Sequence, residues 1–267
     1  MKVLKLLLLT LLVLAGCTLS RQKLEFQKAK RLAKGKEYQA SVLSFAKAIE
    51  MDPNTKLALN AAQSGSVVAA ELAKDYDAAI RFYRHIVFKT DSESERISAK
   101  KSMAQIFFEQ LKDYNQAVLE YESLLGTKLP EQEAYHFRLN VIKSQLELNN
   151  LEQALADLEA LLSLHPKGAE LYEAKVLKSN IYISKKKFQE ASTTLKEVIK
   201  EFPERAQKEN LHLALVSCYE DLEDFTSAVA VLESMTAWYS HRDFLELRIK
   251  RLKERTSNQP GAQGWKK

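Results

Sequence analysis

The sequence predicts an all-α chain of about six stacked helix pairs closed by a C-terminal capping helix, and three observations carry that prediction. A signature recurs almost from end to end: large apolar anchors at Tyr38, Tyr76, Tyr114, Leu151, Phe188 and Phe225 are spaced by 38, 38, 37, 37 and 37 residues. Three residues past each anchor stands a small residue: Ser41, Ala79, Ala117, Ala154, Ala191 and Ala228. Seven past come Phe45, Tyr83, Tyr121, Leu158, Leu195 and Leu232, and ten past come Ala48, Ile86, Leu124, Leu161, Val198 and Met235. These offsets lie on one side of an α-helix, so each signature is a helix with a buried stripe, and its small residue marks a close helix–helix approach. Second, a fixed period means one supersecondary unit stacked repeatedly. Third, only 7 Gly and 5 Pro leave few places for strands and tight turns, while 267 residues that are 46% hydrophobic suffice for a sizeable core.

A large aromatic, then alanine, then an aromatic or leucine, with Pro53, Pro166 and Pro203 closing several units, resembles the second helix of a tetratricopeptide repeat. The resemblance covers residues 22–240 and implies a right-handed α-solenoid. It departs from the family in period, which is commonly about 34, and in the first-helix glycine, which is mostly missing here. The extra residues amount to nearly one helical turn, so a helix can lengthen without rotating its buried face away.

In chain order, residues 1–16 begin with Lys2 and Lys5, continue through an apolar run from Leu6 to Leu14, and lead into Leu14-Ala15-Gly16-Cys17. The run is short for a membrane span and has the basic flank of an export signal. Its last four residues match the bacterial lipobox, which implies a diacylglyceryl group on the Cys17 thiol, cleavage after Gly16 and N-acylation of the new terminus. The alternatives are an ordinary signal peptide with an incidental cysteine, or a signal anchor. Thr18 stands where an aspartate would retain a lipoprotein at the inner membrane, so the resemblance favours the outer membrane, facing the periplasm. Residues 17–21 form a short tether, with a reach of roughly 14 Å. The first helix then carries Lys23, Lys28, Lys30, Arg31, Lys34 and Lys36 against Glu25, either a solvated face or one drawn to anionic headgroups.

The six repeats occupy 22–240 with no linker that would separate domains. Lys89 to Arg96 reads as a polar connection in which Ser92 or Ser94 caps the next helix, and Gly126 with Pro130, then Pro166 with Gly168, mark later breaks. Residues 241–255 form an amphipathic capping helix bearing Phe244, Leu245, Leu247, Ile249 and Leu252, as the end of a repeat array requires. Residues 256–267 read as a flexible tail, in which Trp265 is a docking residue or simply part of a solvated terminus.

Catalytic constellations are lacking. The histidines, His85, His136, His165, His212 and His241, are never at metal-ligand spacing, and Asp75 with Asp77 is a calcium-loop start broken by Ala79. Neither a phosphate loop nor a nucleophile elbow is present. Cys218, in an apolar first-helix pattern, reads as a small core residue. The net charge of +5, near +3 once Lys2 and Lys5 leave with the leader, is too mild to point to nucleic acid. The expectation is therefore no enzyme, no metal, no small-molecule substrate and no cofactor beyond the acyl chains on Cys17.

What remains is a surface. As the family's pattern implies, the inner face of the array is lined by the first helix of each unit: Phe26, Lys30 and Lys34; Val68 and Glu71; Ile106 and Glu109; Lys143 and Glu147; Asn180 and Ile183; Ser217 and Glu220. The alternative for each is a position against a neighbouring helix or on the outside. The row is basic near the lipid and acidic further out, which fits a partner with basic or amide-rich segments. The resulting expectation is an outer-membrane-anchored periplasmic adaptor that binds another protein, with a pilotin-like or β-barrel-assembly lipoprotein as the alternative.

Overall fold

The computed structural model describes residues 19–258; Cys17, the leader and Trp265 lie outside them. The described chain is helical throughout, and its helices pair in the order the repeat implies. They are α1 (19–34), α2 (Tyr38–Met51), α3 (Lys56–Val67), α4 (Tyr76–Lys89), α5 (Glu93–Gln105), α6 (Tyr114–Leu125) and α7 (Glu131–Glu147). Beyond them lie α8 (Leu151–Leu162), α9 (Gly168–Ser184), α10 (Phe188–Glu201), α11 (Pro203–Lys208), α12 (Leu211–Asp221), α13 (Phe225–Met235) and α14 (Arg242–Asn258). The chain divides into two compact units, 1–144 and 145–267.

Every anchor is the first residue of the second helix in its pair. The small residue three further on has no exposed surface in any of the six repeats, which is what lets the first helix lie against it. Ser41, the one non-alanine, satisfies its hydroxyl by donating to the Ala29 carbonyl at 2.8 Å. The turn before each anchor is also repeated. Two residues upstream, Lys36, Lys74, Lys112, Asn149, Lys186 and Glu223 all take left-handed backbone, with φ from 55° to 63°. This ends the first helix, and at three of the turns an aspartate then caps the second: Asp75, Asp113 and Asp224 accept from the amides of Ala78, Gln116 and Ser227.

The spacing difference between repeats has a structural cause. In the two pairs where anchors are 38 apart, the first helix ends in a π-helical segment, Val68–Ala73 after α3 and Ile106–Leu111 after α5. Where the spacing is 37, the first helices α7, α9 and α12 carry no such segment. A π-turn absorbs one extra residue while keeping the buried stripe aligned on either side of it.

In the first unit the core runs through Phe45, Ala62, Phe82, Met103, Phe107, Tyr121 and Leu124. Gly65 on α3 permits its closest packing: a Cβ there would lie 2.9 Å from the Phe82 ring and 3.1 Å from Phe45 Cβ. The first helix is already formed at residue 19, earlier than the 22 expected from the repeat boundary. It is fastened by buried Gln22, whose amide donates to the carbonyls of Ala48 and Asp52 at 2.8 and 2.9 Å and accepts from Thr55 at 3.1 Å. In the second unit, Tyr172, Leu195 and Leu215 form one cluster, and Val216, Leu232 and Leu245 another. The sixth pair departs from the others: its first helix is broken at Asn210, which is left-handed, into α11 and α12. The capping helix runs on to Asn258, past the expected end at 255.

Candidate partner-binding cleft

The two π-helical segments face a common cleft of about 250 Å³ in the first unit. Glu71 is the fourth residue of one segment and Glu109 the fourth of the other, and both carboxylates are exposed. Between them the walls are Ala70, Lys74, Tyr76 and Tyr83 on one side and Ser102, Gln105, Ile106 and Gln110 on the other. Tyr83 is the one large residue at the seventh position of the signature that is not buried, and this cleft is where its ring emerges. The Gln105 amide donates to both Glu109 oxygens, at 3.2 and 3.1 Å, which orients that carboxylate. Behind it lies an aromatic group: Phe108 meets Tyr114 and Tyr121 edge-on at 6.0 and 6.3 Å, and Phe137 lies 5.3 Å from Tyr121. Burial pushes the Tyr121 hydroxyl above its ordinary range, an effect opposed by the hydrogen bond from Asn140 and reinforced by the Glu109 charge.

This volume is below the roughly 300–1,000 Å³ of small-molecule sites. Two carboxylates against the one ammonium of Lys74, with two tyrosine rings and two side-chain amides, leave the lining net acidic and suit a single extended side chain bearing a cation, with its stem against the rings and its head towards the acids.

The structure brings together Glu71, Ile106 and Glu109 of the expected inner-face residues. Ile106 contributes only its edge, being 7% exposed. Val68, the equivalent first residue of the other π-segment, is a correction: at 8% exposure it packs in the core and does not line the cleft. Lys30 and Lys34 are exposed on α1, with Lys30 5.7 Å from the Phe26 ring. Lys143 is half-buried and engaged, whereas Glu147 is exposed.

In the second unit Asn180 is exposed and Ile183 half-buried. Glu220 is a second correction. Arg248 of the capping helix donates to it at 2.8 Å and reaches Ser217 Oγ at 3.3 Å, so both residues are taken up by α14. A hollow between α9 and α10, lined by Lys175, Lys178 and Tyr182, has its charges answered internally. Lys175 pairs with Glu201 at 2.6 Å, and Lys178 pairs with Glu159 at 3.6 Å. A broader, open hollow of about 580 Å³ is lined by the single turn Tyr239–Phe244.

Among the described residues no group of His, Cys, Asp and Glu could hold a metal ion, and no helix is long and apolar enough to cross a membrane. Burial pushes the Cys218 thiol up to about 11, which leaves it protonated and inert at neutral pH.

Residues 172–205, spanning α9 and α10, match the family model of the tetratricopeptide repeat. No curated protein matches the sequence significantly. Among solved structures, a tetratricopeptide-repeat protein from Parabacteroides merdae superposes with a TM-score of 0.53 at 14% identity, over 91% of this chain and 96% of that one. PilW, described as a widely conserved type IV pilus biogenesis factor, gives 0.52 at 14% identity, over 87% and 98%. A chain of the Naa15/Naa10 complex bound to HypK gives 0.58 at 13% identity, over 88% of this chain but 39% of that one. From the six repeated anchors, the buried small residues and these likenesses, the chain has the tetratricopeptide-repeat fold, an architecture typical of protein–protein interaction scaffolds.

Proposed function

We propose that this protein is a lipid-anchored adaptor of the bacterial envelope, held in the outer membrane through acylated Cys17 with its repeats in the periplasm. In this reading it receives a cationic side chain of a partner protein between Glu71 and Glu109. One observation carries the cleft: two acids at equivalent positions of two π-turns open onto one space with tyrosine walls. The lipobox Leu14-Ala15-Gly16-Cys17 supports the anchor.

The two halves are tested separately. Cys17→Ala is expected to abolish both fatty-acid labelling and retention in membranes after a salt wash. A wild type that takes up no label sinks the anchor. For the cleft, Glu71→Lys with Glu109→Lys is expected to leave circular dichroism and melting unchanged, since exposed carboxylates contribute little to folding. Capture of the crosslinked native partner should fall, because like charges then meet across the interface. Equal capture by the folded double variant moves the binding site elsewhere.

The likeness to PilW favours a second reading, a pilotin-like carrier of an outer-membrane secretin subunit. Deleting the gene then leaves that secretin mislocalised, whereas a general adaptor leaves it in place.

A further inference from the structure

We propose that the outward face of α1 is a contact surface for the anionic headgroups of the membrane, an inference that rests on the lipid-anchor reading above. Residues 19–36 hold seven cations, Arg21 through Lys36, against the single acid Glu25, a net charge of +6. The whole chain nets +5, so everything outside this segment sums to −1. The protein's net positive charge is thus concentrated in α1, which starts two residues after Cys17, and in the turn that follows it.

That charge is free to act outward. Glu25 is occupied, by Lys47 at 2.8 Å and Lys28 at 3.9 Å. Lys23, Arg31 and Lys34 are exposed and pair with no described residue. Elsewhere several cations are tied down: Lys101, Lys185 and Lys253 each hold a glutamate within 2.7 Å. The orientation of α1 is also fixed. Gln22 and Ala29 are fully buried, and the three hydrogen bonds of Gln22 prevent the helix from rolling. Leu24, two residues past Gln22, therefore projects from the opposite side and is 67% exposed. Leu19 is 54% exposed.

Like charges three and four residues apart, such as Lys30 and Lys34, weaken an isolated helix. An anionic bilayer turns the same pattern into attraction, and a leucine beside the lysines can enter the headgroup boundary. With the acyl chains two residues before the helix, α1 cannot be far from that boundary.

The test is amine footprinting of the full mature lipoprotein, purified in detergent and reconstituted into vesicles of phosphatidylcholine alone or mixed with phosphatidylglycerol. In the anionic vesicles, labelling of Lys23, Lys30 and Lys34 is expected to fall severalfold relative to neutral ones, while Lys128 and Lys208 are unaffected. High salt should restore labelling. The variant carrying Lys23→Glu, Arg31→Glu and Lys34→Glu should lose the protection of Lys30. Equal labelling in the two vesicle types overturns the proposal, as does protection that survives the reversal. Protection in intact cells but not by lipid assigns the face to an acidic protein and also overturns it. Flotation with neutral vesicles reads the anchor alone. If that fails, flotation of wild type but not the triple variant with anionic vesicles still supports the face, and flotation of neither overturns it.

Discussion

The Tyr172 hydroxyl donates to Glu209 Oε2 at 2.9 Å, tying α9 to the end of α11 across 37 residues of sequence. Arg205 completes the arrangement. Its guanidinium lies 4.0 Å over the Tyr172 ring, and its Nε donates to the other Glu209 oxygen at 2.9 Å. Burial, then the Glu209 hydrogen bond and charge, push the Tyr172 hydroxyl from 10.0 up to about 12. The unfolded chain ionises this tyrosine first, so its stabilising effect is complete below pH 10 and is lost as pH rises towards 12. Thermal melting measured at about pH 9 and upward to about pH 12 is expected to drop less steeply in Tyr172→Phe than in the wild type. At neutral pH the same substitution should cost about 1 kcal/mol, the usual net worth of one hydrogen bond. Parallel pH profiles would remove the hydroxyl from this role.

At Gly65 two effects compete. Alanine improves helix propensity by about 1 kcal/mol, but the new methyl would sit 2.9 Å from the Phe82 ring. Overpacking costs typically about 1–3 kcal/mol, so Gly65→Ala should lower stability. Urea titration of the two proteins decides the sign, and a stabilised variant would show that the Phe82 ring yields freely.

Deleting Glu71 removes the extra residue of the first π-turn and should let the segment relax to a regular α-helix in register. Deleting Asn180, an exposed residue of an ordinary α-helix, rotates the remainder of α9 by about 100° and misplaces buried Ile181. The first deletion is expected to keep a cooperative melt close to wild type, the second to lose several kcal/mol, on the scale of displacing a core side chain. Equal damage from both would mean that the π-turn is not where the extra residue is absorbed.

Ala154→Phe should destabilise by about 1–3 kcal/mol or more, since the side chain it enlarges has no exposed surface. Ala156→Phe, on the exposed side of the same helix, serves as the control. Calorimetry showing equal melting for the two would put the repeat register in error.

The features written into single repeats were the legible ones. Anchors, small residues and stripe positions are set by contacts between adjacent helices, so a period in the sequence maps directly onto packing. The π-turns had a signal as well, in the two spacings of 38 against three of 37, though that difference is read only once it is matched to helix type. Val68 and Glu220 were placed wrongly for separate reasons. Counting back from the anchor gives a residue's face but not its depth, and Val68, the first residue of its π-segment as Ile106 is of the other, lies almost wholly in the core. Glu220 is claimed by Arg248, 28 residues away on a helix outside the repeat, and no local pattern announces such a partner. The convergence of Glu71 and Glu109 with Tyr83 likewise depends on two repeats at once.

Left-handed backbone costs a residue with a Cβ about 1–2 kcal/mol, yet this chain accepts it before all six anchors with lysine, asparagine or glutamate. Glycine adopts that conformation without a steric penalty. Each of these turns is separated from the next by a full repeat, so replacements there should act independently. A lineage moving to hotter surroundings, or an engineer wanting a hardier scaffold, thus finds four separate places to begin, at Lys112, Asn149, Lys186 and Glu223, outside the core, the cleft that Lys74 lines and the basic segment that ends at Lys36.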